Sequence, residues 1–223
     1  MKSFFERQIP VIGDKCQNKL KDSTVLVAGV GGIGTSVSEL LVRYGVGKLY
    51  LTDNGIVDEP DLNRQILYTA DDLGKKKVFV AREKLLKITR ETEIIANYTE
   101  IDENFIIPPD IDIAVDCLDN FKTRYLLDDI LAKESIPLVH AGIESFFIQL
   151  TTIDRKKIKK LKDVFPNAID KKNIPVLSST ASVAGAIEAL EVIKVLCGME
   201  ENLSGKLLII DLKDYEFEII RLV

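Results

Sequence analysis

The chain has 223 residues, enough for one substantial core, and its 46% hydrophobic and 29% charged content is that of an ordinary globular protein. A formal net charge of -5 gives no general attraction to nucleic acid, so an anionic ligand has to be met by a local group of cations. No apolar run reaches the roughly 18 residues that cross a bilayer, and Glu6 and Arg7 interrupt "MKSFFERQIP" before a signal-peptide core forms, so the expected location is the cytoplasm.

Cys16, Cys117 and Cys197 are odd in number and far apart, which predicts inert packing in a reducing compartment and not a disulfide framework. With His140 as the single histidine, a structural zinc site of about four ligands cannot be drawn.

In chain order, residues 1–22 read as a helical arm. "STVLVAGV" (23–30) reads as a buried strand, "IGTSVSELLVRYGV" (33–46) as a helix and "GKLYLTD" (47–53) as the next strand, which makes a β-α-β unit. After a loop at 54–73, "KKKVFVAREKLLKITRE" has helical spacing, "EIIANYTE" and "IDIAVDC" read as strands, "FKTRYLLDDILAKES" as a helix and "IPLVHAG" as a strand. This alternation predicts an α/β fold, a Rossmann-like, mostly parallel sheet with helices on both faces and a nucleotide-binding core over 23–142. "FFIQLTTI" (146–153), "KLLIIDL" and "YEFEIIRLV" lack intervening helices and predict antiparallel strands at one edge, the last two as a hairpin. The extension 143–223 also holds a crossover loop at about 154–175 and a helix, "SVAGAIEALEVIKVL", ended by Gly198. The whole chain reads as a single domain.

"GVGGIG" (Gly29, Gly31, Gly32, Gly34) follows a strand and opens a helix, where a phosphate or ribose approaches backbone N–H groups at the positive end of the helix dipole. Asp53 ends the next strand roughly 20 residues on, where a carboxylate accepts from ribose hydroxyls. Those two features alone also suit an NAD(P)-dependent oxidoreductase. Arg64 in "DLNRQ", Lys77 in "LGKKK", and Asp116 and Asp119 in "DCLDN" fall at the same carboxyl edge of the sheet. Two cations with a carboxylate available to a metal describe a triphosphate with magnesium better than a dinucleotide.

The ordered set "RQIPVIGDKCQNKL", "GVGGIG", "TDNGIVDEPDLNRQ", "LGKKKV", "DCLDNFKTR" and "GAIEALEVIKVLCG" resembles the ThiF/MoeB/HesA family, bacterial relatives of ubiquitin-activating enzymes, over residues 6–198. The resemblance implies that ATP and Mg2+ are used to adenylate the C-terminal glycine of a small ubiquitin-like sulfur carrier (ThiS/MoaD-like) ending in Gly-Gly, for thiamine or molybdopterin synthesis. Residue by residue, it gives Asp53 to the ribose, Asn63, Arg64 and Gln65 to the phosphates, Lys77 to the α- or β-phosphate and Asp119 to magnesium. Arg7 matches an arginine that the family reaches across a homodimer interface into the partner's site. The same half-reaction on another carboxylate, such as a ribosomal peptide, or on a modified tRNA base, is the alternative reading.

Plainer roles compete for several residues. Asp119 suits a cap for the helix starting near Phe121, Arg124 suits structural pairing, Asp116 a supporting position, His140 a satisfied core residue, and "KKIKKLK" (156–162) a solvated face. The two Cys-x-x-Cys pairs with which many members hold zinc are missing, which implies a zinc-free lobe braced by packing alone. No cysteine occurs in "FPNAIDKKNIPVLSSTAS", so a covalent thioester or persulfide on this chain is not expected.

Overall fold

The computed structural model describes residues 4–171 and 174–223. Strand β1 (Thr24–Ala28) is buried along its whole length, which is why its sequence is a continuous apolar run with no alternation. It pairs in parallel with β2 (Lys48–Thr52) on one side and β4 (Ile113–Asp116) on the other. With β3 (Glu93–Asn97), β5 (Leu138–Glu144), β6 (Phe147–Ile153), β7 (Lys206–Asp211) and β8 (Glu216–Arg221), the sheet runs β3-β2-β1-β4-β5-β6-β7-β8. The first five strands are parallel and β6 to β8 antiparallel, as the sequence predicts.

Helices α1 (Ile9–Lys21), α2 (Gly32–Tyr44), α3 (Lys77–Leu85) and α6 (Ser178–Leu196) supply the core on one face of the sheet. The opposite face is filled by α4 (Phe121–Lys133), the one-turn α5 (Leu161–Val164), and Ile101 and Ile111 from the β3–β4 connection, which carries no helix of its own. Small residues let α6 lie directly on α2: a Cβ on Gly185 would come 2.6 Å from the Ser36 Cβ. That contact fixes the amino terminus of α2, and with it the glycine loop.

Four expectations need correcting. The N-terminal arm is not one regular helix, because Gly13 interrupts α1 at φ 80° and ψ 158°. The third helix stops at Leu85, since the chain has to turn at once to bring Glu93 N onto Gly47 O and start β3. Cys16 and Cys197 are not separate packed thiols: α1 meets the end of α6 and the two form a disulfide with Cα atoms 5.1 Å apart. Their sequence separation of 181 hides this contact from a reading of the chain. The C-terminal lobe is accordingly not held by packing alone, for buried Glu191 also accepts from Thr152 Oγ1 at 2.6 Å and Leu203 N at 2.5 Å. Among the described residues no helix is long and apolar enough to cross a membrane.

Candidate active site

The carboxyl ends of β1, β2 and β4 open into a crevice of about 600 Å3. The chain leaves β1 through Gly29 at φ 90°, and a Cβ there would stand 2.6 Å from the Cys117 carbonyl oxygen. A side chain on Gly34 would stand 2.0 Å from the Gly29 carbonyl oxygen, so Gly34 serves close packing and does not line the crevice. Gly31 and Gly32 do line it, and Gly31 is the N-cap of α2, which has no side-chain cap. The first-turn N–H groups of α2 thus lie at the glycine-lined wall of the crevice.

Asp53 ties this loop to the end of β2. Its Oδ2 accepts from Val30 N at 2.7 Å and its Oδ1 from Gly55 N at 2.6 Å, and each oxygen keeps a further lone pair. Tyr68 adds a brace by donating to Val30 O at 2.8 Å.

The cations come from the turn after β2 and the start of α3. Asp61, which sequence reasoning passed over, gathers them. Its Oδ2 lies 3.0 Å from Lys77 Nζ, its Oδ1 accepts from Gln65 Nε2 at 2.6 Å, and Arg64 Nη2 stands 3.7 Å from Oδ1. An acid three and four residues before Arg64 and Gln65 in a helical turn is a readable pairing signal. Gln65 is buried and lines the crevice with its Oε1 unbonded. Asn63 is exposed, does not line the crevice, and accepts from Arg64 Nη1 at 3.1 Å, so it supports Arg64 and stands back from the cavity.

Asp119 lines the crevice on the β4 side. It is not the cap of α4: Asn120 Oδ1 accepts from Thr123 N at 2.8 Å, and Asp170 accepts from Phe121 N. Among the described residues no three or more His, Cys, Asp or Glu side chains form a metal cluster. Magnesium is commonly held by one or two carboxylates with waters and substrate phosphates, so Asp119 alone fits that kind of site.

Asp116 lies fully buried beneath the crevice and not in it. Burial pushes its carboxyl up, but Arg124 beside it and the hydrogen bond with His140 outweigh that and hold it below the usual carboxylate range. His140 Nδ1 is 2.7 Å from Asp116 Oδ2, and burial pushes the imidazole down, so it stays neutral. Arg124 also donates to Leu118 O, a structural pairing, while its side chain lines the crevice and the adjoining cavity. Beside them, buried Cys117 approaches Glu188 Oε2 at 3.6 Å, and burial drives the pKa of both side chains up.

Arg7 is exposed and does not line this crevice. Its neighbours explain where it sits: Phe5 packs on Gly45, and Gln8 Nε2 donates to Tyr44 O, at the far end of α2. Thirteen residues of α2 separate that point from the glycine loop, roughly 20 Å of helix.

A second cavity of about 300 Å3 adjoins the crevice at Asp119, Arg124 and Ile143, walled by Phe147, Ile148 and Ile209. The loop beyond it includes Lys172 and Asn173, which lie outside the described residues. The "KKIKKLK" run is only partly a solvated face, since Ile158 and Leu161 are buried, while Lys160 pairs with Asp129 at the surface.

The ThiF family model matches residues 5–222. Protein HesA, heterocyst, of Trichormus variabilis is 35% identical over 216 residues, covering 95% of this chain and 81% of that protein. Adenylyltransferase and sulfurtransferase MOCS3 of Culex quinquefasciatus is also 35% identical, but 98% of this chain covers 52% of it. A crystal structure of E. coli MccB with AMPCPP and MccA superposes with a TM-score of 0.84 at 25% identity, covering 99% of this chain and 71% of that one. The chain therefore belongs to the ThiF family and is an enzyme of the adenylyltransferase class, not an NAD(P)-dependent oxidoreductase.

Proposed function

We propose that the protein uses ATP to adenylate the terminal glycine carboxylate of a ubiquitin-like sulfur carrier ending in Gly-Gly, in thiamine or molybdopterin synthesis. One observation carries the reading: Lys77 Nζ and Arg64 Nη2 converge on a single carboxylate, Asp61, at 3.0 and 3.7 Å beside a glycine loop, so two cations stand together where a polyanion would lie.

In this reading the ribose hydroxyls donate to the free lone pairs of Asp53 and the phosphates meet the α2 amides, Arg64, Gln65 and Lys77. The carrier carboxylate is ionised near neutral pH and needs no general base. Its oxygen attacks the α-phosphorus, the bond to the bridging oxygen breaks, and pyrophosphate leaves with that electron pair. Arg64 and Lys77 stabilise the charge that develops. Magnesium, held by Asp119, would shield the phosphate charges. Arg7 is supplied by the second subunit of a homodimer, in keeping with its place at the far end of α2 in its own chain.

Intact-mass spectrometry tests the substrate. The Gly-Gly-ended carrier of the same genome, mixed with the protein and Mg-ATP, gains one adenylyl group, and the carrier lacking its last glycine does not. No adduct on any such carrier removes the carrier assignment. A second reading, a peptide carboxylate, is favoured by the 300 Å3 cavity beside the crevice, whose wall of Phe147, Ile148 and Ile209 could receive an apolar side chain, and by the MccA in the MccB structure.

A further inference from the structure

Asp61 contradicts the simplest design for a triphosphate site. A binding pocket for a polyanion gains from cations held by neutral groups, yet here a carboxylate stands against two of the cations that line the crevice, Lys77 and Arg64. The Asp61 and Lys77 side chains are 12% and 13% exposed, so water screens the pair only weakly.

Part of Asp61's role is local architecture. Its Oδ2 accepts from Asp58 N at 3.1 Å and its Oδ1 from Gln65 Nε2 at 2.6 Å, which folds the turn that carries Arg64. Those two hydrogen bonds need oxygen acceptors but no charge. The charge falls chiefly on Lys77 at 3.0 Å; Arg64 Nη2 stands farther off at 3.7 Å, and its Nη1 donates to Pro60 O at 2.7 Å.

We infer that Asp61 is a resident anion that holds Lys77 and Arg64 in place without nucleotide and competes with the triphosphate for them. The inference rests on the nucleotide reading above and adds to it a positioning residue with a stated effect. Binding ATP is then an exchange of partners: Lys77 moves its contact from Asp61 toward phosphate, and the carboxylate left behind repels the phosphate it faces. Release of pyrophosphate runs the exchange backwards, with Asp61 recovering both cations. The charge thereby lowers affinity for ATP and speeds departure of the product.

The test compares Asp61→Asn with the wild-type protein, measuring by calorimetry the affinity for Mg-ATP and, separately, for adenosine. The variant binds Mg-ATP tighter by about fivefold or more, the size expected when one unit charge beside a partly screened phosphate is removed. Adenosine affinity stays within about twofold, because the ribose and base contacts are untouched; a merely structural role would weaken both ligands together. In steady-state turnover KM for ATP and kcat fall together, since pyrophosphate leaves more slowly. Asp61→Ser, which keeps an acceptor and drops the charge, moves ATP affinity in the same direction.

Unchanged or weaker ATP binding in a folded variant that still binds adenosine overturns the inference and leaves the nucleotide site standing. Loss of fold in both variants makes Asp61 architectural and overturns it too. A wild-type protein that binds neither ATP nor adenosine fails at the nucleotide reading itself.

Discussion

Lys77 Nζ, at the first residue of α3, lies 3.0 Å from Asp61 Oδ2 in the turn after β2, two elements that meet only at the carboxyl edge of the sheet. This contact turns scattered charges into one site, because Gln65 and Arg64 converge on the same carboxylate. A cation fixed before the reaction needs no reorganisation as charge develops.

Arg64→Ala and Lys77→Ala should each lower the adenylation rate by at least ~10²-fold, about 3 kcal/mol of transition-state stabilisation, while leaving the melting temperature within a few degrees. Single-turnover formation of the acyl-adenylate reads this directly. A loss below about threefold in either variant would remove that residue from the chemistry.

The glycine loop separates folding from binding. Gly34→Ala drives a methyl to 2.0 Å from a backbone oxygen and should destabilise the protein by about 3 kcal/mol or prevent folding. Gly31→Ala meets nothing nearer than Gln65 Nε2 at 3.8 Å, so it should fold and lose nucleotide affinity instead. Thermal melts with and without Mg-ATP distinguish the two, and equal destabilisation by both substitutions would contradict the division.

Glu188 is fully buried in α6 with its Oε1 unbonded, and burial, followed by the nearby Asp116 charge, raises its pKa well above the ordinary value. The folded state therefore holds this proton more tightly than the unfolded chain. Its contribution is complete below the unfolded value of about 4.3 and is lost as pH rises toward the folded value. Relative to wild type, Glu188→Gln should gain stability as pH increases, by about 1 kcal/mol or more at pH 8. Denaturant melts at pH 5 and pH 8 measure the difference, and a pH-independent difference would mean that Glu188 does not titrate in this way.

Mass mapping under non-reducing conditions should find Cys16 joined to Cys197, with Cys117 the free thiol. Reduction, or Cys16→Ser with Cys197→Ser, should then lower stability by about 2–4 kcal/mol through the long loop that is released. Three free thiols in the native protein would contradict the bridge.

The alternation of strands and helices and the antiparallel edge are legible in the sequence because β1 and β4 are buried runs and α2 and α4 keep helical spacing. The sequence also carried Asp53, Arg64, Lys77 and Asp119, which sit in or beside turns where glycine, charge and strand ends stand together. Asp61 shows its pairing with Arg64 and Gln65 in local spacing, but its contact with Lys77 comes from another element and exists only after folding. The disulfide escaped for the same reason, as did the burial of Glu188. The motif groups Gly34 with the ligand-facing glycines, since spacing does not distinguish a glycine that faces a phosphate from one that lets two backbones touch.

The most direct test of the central claim is exchange of labelled pyrophosphate into ATP, with magnesium and a Gly-Gly-ended carrier, in wild type and Lys77→Ala. Reversible adenylation at this crevice predicts exchange that needs the carrier and falls at least ~10²-fold in the variant. No carrier-dependent exchange in the wild-type protein, or equal exchange in the variant, would contradict it.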